Sequence, residues 1–238
     1  MATIQINMQA VKTRIATACK ASGRAQSSVT LVAVCKTHPV AAIRAAAAAA
    51  QRDFGESYVQ EALPKIGALA DLDLVWHFIG PIQSNKTRPI AESFDWVHSV
   101  DREKIAIRLC AARPANLPPL NVCIEVNVSG EARKSGVAPQ ALAPLARRVS
   151  ALPRLKLRGL MAIPAPTSDT QRQSRQFRTL RELKDELVRS GIGLDTLSMG
   201  MSEDMEAAIT EGATMVRIGT AIFGPRQEAR DRTGRVSG

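Results

Sequence analysis

A chain of 238 residues, 45% of them hydrophobic, is too apolar for a disordered segment and has room for one large α/β domain or two small ones. Aromatics at 3% leave the core to Ala, Val, Ile and Leu, and four scattered cysteines without a CxxC pair argue against a disulfide framework or a zinc site. The net charge of +10 comes from arginines and lysines spread over Arg147–Arg158, Arg172–Arg181 and Arg226–Arg235, with no zinc-finger spacing or aromatic RNA-binding motif, so solvated helix faces and a basic tail after about residue 226 are expected rather than a nucleic-acid surface.

The opening MATIQINMQAVKTRIATACKASG lacks the apolar core of a secretory signal, and residues 5–21 suit an amphipathic helix instead. The longest apolar run, the alanines at 45–50, is too short to span a bilayer. A cytoplasmic protein without membrane contact is expected. VTLVAVCKT (29–37) reads as a buried strand, and PVAAIRAAAAAAQ (39–51) as a helix opened by Pro39. A short strand near DFGE (53–56) precedes a helix over 58–69. LVWHFIG (74–80) is a third strand, followed by a helix over 84–93 and a fourth strand, DWVHSV (95–100). DREKIAIRLCAAR (101–113) is helical, with acidic and basic ends that match the helix dipole. Strand NVCIEVNV (121–128), a helix over 139–152 despite Pro144, strand LKLRGLMAI (155–163) and a charged helix over 170–190 continue the series. TLSMG (196–200), helix SEDMEAAITEGA (202–213) and strand MVRIGTAIF (215–223) close it.

Eight strands alternating with helices imply parallel pairing and right-handed crossovers. The expected fold is a single (β/α)8 TIM barrel with an extra N-terminal helix, one domain over 1–238. An open doubly wound sheet would show a Gly-rich first turn, and the first strand here ends in CKTHP. A closed barrel has no free sheet edge, so a monomer is expected.

Lys36 stands at the C-terminal end of the first strand, the end where such barrels build their sites. Burial there lowers an amine's pKa and suits it to attack an aldehyde; a lysine that snorkels to solvent is the competing reading. Ser202 reads as the N-cap of the helix over 202–213, whose free N–H groups could bind a phosphate. After the eighth strand, Gly219 permits close backbone approach and Thr220 adds a hydroxyl. Arg217 lies inside the apolar run MVRIG and needs an acceptor. That acceptor is either a pyridine nitrogen, which an Arg would keep unprotonated, or a carboxylate such as Glu125. His77 and Asn127 should open into the same mouth as site-lining residues. Three histidines without acidic spacing make no metal site.

The segments VAVCKTH, FGESYVQEAL, WHFIGPIQSNK, EVNVSGEARKSGV, GLMAIPAP and LSMGMSEDMEAAITEGATMVRIGTAIFGPR, spread over roughly 28 to 226, resemble the pyridoxal phosphate homeostasis proteins, which are alanine-racemase-like, N-terminal-domain PLP-binding proteins. The resemblance implies pyridoxal 5′-phosphate (PLP) held by a Schiff base on Lys36, with Arg217 facing the pyridine nitrogen. It places the phosphate among Ser202, Gly219 and Thr220, with Ser198 and Met201 adjacent. It implies a protein that carries or buffers PLP and supports vitamin B6 and amino-acid balance, with apo PLP-dependent enzymes as candidate recipients. One departure is Ser57, where the family has Asn, which implies a looser hold on the cofactor. The alternative is a fold-type III enzyme such as an amino-acid racemase. A racemase needs a second base on the opposite face of the cofactor. The only tyrosine is Tyr58, beside Ser57, and the chain ends about where the barrel should end.

Overall fold

Eight short apolar runs form the strands of one closed, all-parallel barrel, each strand hydrogen-bonded to its neighbours in chain order. The structure is a computed structural model and describes residues 2–225 apart from 132, 166 and 168, so the basic tail lies outside the described residues. Helix α1 (Ala2–Ala21) opens the chain. Strand β1 (Thr30–Val34) leads to α2 (Val40–Ala48), β2 (Asp53–Glu56) to α3 (Val59–Ala68), β3 (Val75–Phe78) to α4 (Thr87–Ser93), and β4 (Trp96–Val100) to α5 (Glu103–Ala112). The second half repeats the unit: β5 (Leu120–Glu125) and α6 (Pro139–Ser150), β6 (Leu155–Met161) and α7 (Thr170–Arg189), β7 (Thr196–Ser198) and α8 (Met205–Thr210), β8 (Met215–Ile218) and α9 (Thr220–Phe223). The seam pairs β1 with β8, Thr30 opposite Met215 through Ala33 opposite Ile218.

The strands read as continuous Val, Leu and Ile because both of their faces are covered. Outward residues such as Ala33, Phe54, Phe78, Val97 and Leu160 join the buried faces of the helices in one large core. Inward, Val32, Trp96, Cys123, Met161 and Met215 form a separate apolar plug inside the cylinder. With few aromatics, Ala, Val, Ile and Leu fill most of the volume, while Phe54, Phe78, Phe94 and Phe177 are buried completely. Helix α1 buries Met8, Val11, Ile15 and Cys19, spaced so that they share one face, and it packs on α2, α8 and α9. It therefore covers the seam, where α8 and α9 are short. Arg14 fastens it with two hydrogen bonds to Glu206, at 2.7 and 3.0 Å, and one to the Ser202 carbonyl at 2.9 Å.

Three local readings are corrected. The run 215–223 is not one strand: β8 stops at Ile218 and Thr220–Phe223 is a turn of helix. An unbroken apolar run carries no periodicity that separates the two. Helix α8 starts at Met205 rather than near Ser202, and Asp204 stands at its N-cap position. The Asp204 carboxylate instead accepts the Met201 N–H at 2.5 Å, so residues 201–204 form a turn of their own. Strand β1 ends at Val34, which leaves Lys36 on the turn that follows.

Candidate functional site

The C-terminal rim of the barrel opens into a cavity of about 570 Å³ whose lining includes Lys36, Ser57, Met201, Ser202, Arg217, Gly219 and Thr220. Lys36 is carried by a tight turn closed by the His38 N–H on the Cys35 carbonyl at 3.1 Å. The next residue, Thr37, has φ 66°, which is unusual for a residue with a Cβ. It is anchored because the Thr37 N–H donates to the Glu61 carboxylate. From behind, the buried Lys65 ammonium donates to the Cys35 carbonyl at 3.0 Å, to Glu56 at 2.8 Å and to Glu61. Burial works against the Lys65 charge, but hydrogen bonds to Glu56 and Glu61 outweigh it and its pKa ends above the ordinary lysine value. Burial raises the Glu56 pKa despite Lys65. This ionic clamp was missed in sequence; its only signal was the i,i+4 pair Glu61 and Lys65 in a stretch that otherwise read as an ordinary helix face.

Arg217 projects from β8 into the barrel, 4% exposed, and lines the cavity floor. Its NH1 donates to the Ser198 carbonyl at 2.6 Å and to the Ser198 hydroxyl at 2.7 Å, and its NH2 to the Ala162 carbonyl at 3.0 Å. Burial pulls its pKa down to about 10, against the pull of Asp204 and Glu125, so it stays cationic at neutral pH. The expected alternative partner, Glu125, makes no hydrogen bond to it among the described residues. Burial first, and Asp101 second, push the Glu125 carboxyl up to about 7.

Two glycines shape the cavity wall. A Cβ on Gly80 would lie 2.2 Å from the Ser57 carbonyl oxygen, so only glycine lets the β3 exit pass behind Ser57. A Cβ on Gly219 would meet the Val34 carbonyl at 3.2 Å, so close packing on β1 accounts for that glycine as well as its place on the cavity.

Three expected residues lie elsewhere. Ser198 is fully buried beneath the cavity and holds Arg217. His77 is also fully buried, stacked on Trp96 at 5.7 Å and bonded to His98 and Asp53, not turned into the mouth. Sequence placed it on the right strand, but its depth depends on the barrel's shear, which a strand pattern does not reveal. Asn127 faces its own loop, where its side chain donates to the Glu131 carbonyl at 2.8 Å and accepts from the Gly130 N–H at 3.1 Å. Conversely, His38 lines the cavity and stacks on Phe223 at 5.0 Å, and Ile163, Pro164 and Ala165 of the segment GLMAIPAP complete one side.

The family model described as alanine racemase, N-terminal domain, matches residues 6–227. A pyridoxal phosphate homeostasis protein of Pseudomonas aeruginosa is 64% identical over 226 residues, which is 95% of this chain and 97% of that one. The solved structure of PipY from Synechococcus elongatus, with PLP bound, is similar at a TM-score of 0.82 and 38% identity, over 93% of this chain and 100% of that one. An alanine racemase of Clostridium difficile, at 12% identity and a TM-score of 0.77, shares the fold alone, over 94% of this chain and 56% of that one.

Proposed function

Because the chain belongs to the alanine racemase N-terminal domain family, and within it to the pyridoxal phosphate homeostasis proteins, we propose that it binds PLP on Lys36 and carries or buffers it in support of vitamin B6 and amino-acid balance. The observation that carries this reading is that Lys36 and Arg217, an amine on a braced turn and a buried, fixed guanidinium, line one cavity of about 570 Å³. That volume suits a small cofactor. The residues present fit the group: Lys36 for its aldehyde, Arg217 for its ring nitrogen, Ser202, Gly219 and Thr220 for its phosphate with Met201 adjacent, and Ser57 beside the ring.

When bound, the cofactor supplies an aldehyde that condenses reversibly with amines and a ring that can withdraw electrons. Arg217 is donor-only and, at a pKa of about 10, keeps its proton. It holds the ring nitrogen unprotonated and so leaves the ring a weak electron sink, which suits keeping PLP rather than turning over amino acids on it. The racemase reading lacks the tyrosine that would serve as its second base. Tyr58 is 54% exposed, and no tyrosine lines the cavity among the described residues. All four cysteines are free thiols, which suits a reducing cytoplasm, and among the described residues no helix is long and apolar enough to cross a membrane. The reading extends to one PLP-binding domain over 1–238 that acts as a monomer and hands PLP to apo enzymes.

The test is a spectrum. The purified protein takes up PLP and absorbs in the visible range, and Lys36→Ala abolishes that band. Borohydride reduction followed by peptide mapping puts the fixed pyridoxyl group on Lys36. A protein that stays colourless with added PLP overturns the proposal. Amino-acid racemisation well above that of free PLP overturns the carrier reading in favour of an enzyme.

A further inference from the structure

A single file of hydrogen bonds crosses the inside of the barrel. It starts at Arg217 on the cavity floor, whose NH1 lies 2.7 Å from the Ser198 hydroxyl. Ser198 Oγ lies 2.7 Å from His98 Nδ1, and His98 Nε2 lies 2.9 Å from His77 Nδ1. His77 Nε2 ends the file, 3.0 Å from Asp53 Oδ1. Asp53 is the first residue of β2, so its carboxylate sits at the N-terminal rim, 27% exposed, beside a second surface cavity. Ser198, His98 and His77 are fully buried.

The two ends settle which way the protons point. A guanidinium only donates and an ionised carboxylate only accepts. Ser198 Oγ therefore accepts from Arg217 and turns its own hydrogen to His98 Nδ1. His98 then donates from Nε2 to His77 Nδ1, and His77 donates from Nε2 to Asp53. Both rings are neutral and carry their proton on Nε2. The opposite arrangement needs a charged His77 and leaves the Ser198 hydrogen without an acceptor among the described residues. Burial, then His77 and Arg217, hold the His98 pKa well below the usual histidine value, in agreement with a neutral ring.

We propose that Ser198, His98, His77 and Asp53 are positioning residues for Arg217: a one-way proton file, anchored at the far rim, that fixes the guanidinium rotamer and so the edge offered to the cavity. Chains of this kind polarise along their length, so the carboxylate strengthens Ser198 as an acceptor without a charge having to be buried beside Arg217. The link from this file to bound PLP rests on the reading that Arg217 meets the cofactor's ring nitrogen.

The test has two independent arms. Nitrogen-15 histidine spectra of the full chain without ligand report tautomers directly: His77 and His98 should both be neutral with the proton on Nε2, and a charged ring or an Nδ1–H tautomer at either overturns the file. In the PLP-loaded protein, His98→Leu removes both the acceptor for Ser198 and the donor to His77. It should shift the visible band of the cofactor and weaken PLP binding roughly tenfold, the size of one broken buried hydrogen bond. His98→Gln, which can accept and donate in the same order, should restore the band. A band unmoved by His98→Leu, or moved equally by both variants, overturns the positioning role. Should His98→Leu not fold, the tautomers of the unmodified chain still decide the file. Failure of the unmodified chain to bind PLP strikes the functional reading alone.

Discussion

Behind β1 and β2, Lys65, Glu56 and Glu61 bury opposite charges in contact; inside the barrel, Arg217 is buried with its hydrogen bonds on neutral oxygens of Ser198 and Ala162. The first network grips backbone, the Cys35 carbonyl and the Thr37 N–H on either side of Lys36. The second grips a side chain. The difference concerns tolerance. An ion pair that loses one member strands a charge in low dielectric, whereas a file whose inner members are neutral tolerates a change there that keeps its donor and acceptor order.

The sharpest way to break the contrast is Lys65→Met. It leaves Glu56, 0% exposed and with one carboxylate oxygen already lacking a hydrogen-bond partner among the described residues, without its cation. Urea unfolding should show a loss of about 3–5 kcal/mol. A loss under about 1 kcal/mol would mean that the clamp holds nothing.

Glu125 tests the inner region by pH. Its folded pKa of about 7 lies above the ordinary 4.5, so the folded chain takes up its proton more readily than the unfolded one. Its contribution is therefore favourable below about 4.5 and is lost as pH rises through about 7. At pH ~8 the ionised carboxylate should cost up to about 3 kcal/mol. Glu125→Gln should accordingly stabilise the protein at pH ~8 and leave it unchanged at pH ~4. Equal effects at the two values would show that Glu125 does not titrate in that window.

The smallest effect belongs to the residue that joins the two regions. Ser57 directly follows Glu56 of the clamp and lines the cavity. Ser57→Asn, the residue that the resemblance implies here, adds one amide and should tighten PLP binding by roughly two- to fivefold in a spectral titration. Weaker binding would show that the wall at Gly80 has no room for the longer side chain.

What was legible in sequence follows from how each signal arises. Strands buried on both faces are written as apolar runs such as LVAVC and NVCIEV, and each of the eight begins in the structure within one residue of its expected start, although the last ends well short of its expected span. Lys36 was legible for the same reason, as a cation where such a run ends. Ser202 was misread as a cap because its side chain suits the role, yet the Asp204 carboxylate closes the preceding turn and delays the helix to Met205. The inner file was not legible. Asp53, His77, His98, Ser198 and Arg217 sit on five different strands, and only the shear of the closed cylinder brings them into line.

The covered seam has a consequence for how the molecule is made. Thr30 pairs with Met215, and Arg14 reaches Glu206, so the first and last fifths of the polypeptide depend on each other. Nearly all of it must leave the ribosome before the cylinder can shut, and contacts so distant along the chain form slowly. Until β8 has emerged and docked, β1, with the lysine turn behind it, has an unpaired flank, so the nascent chain should be most prone to aggregate before that pairing forms.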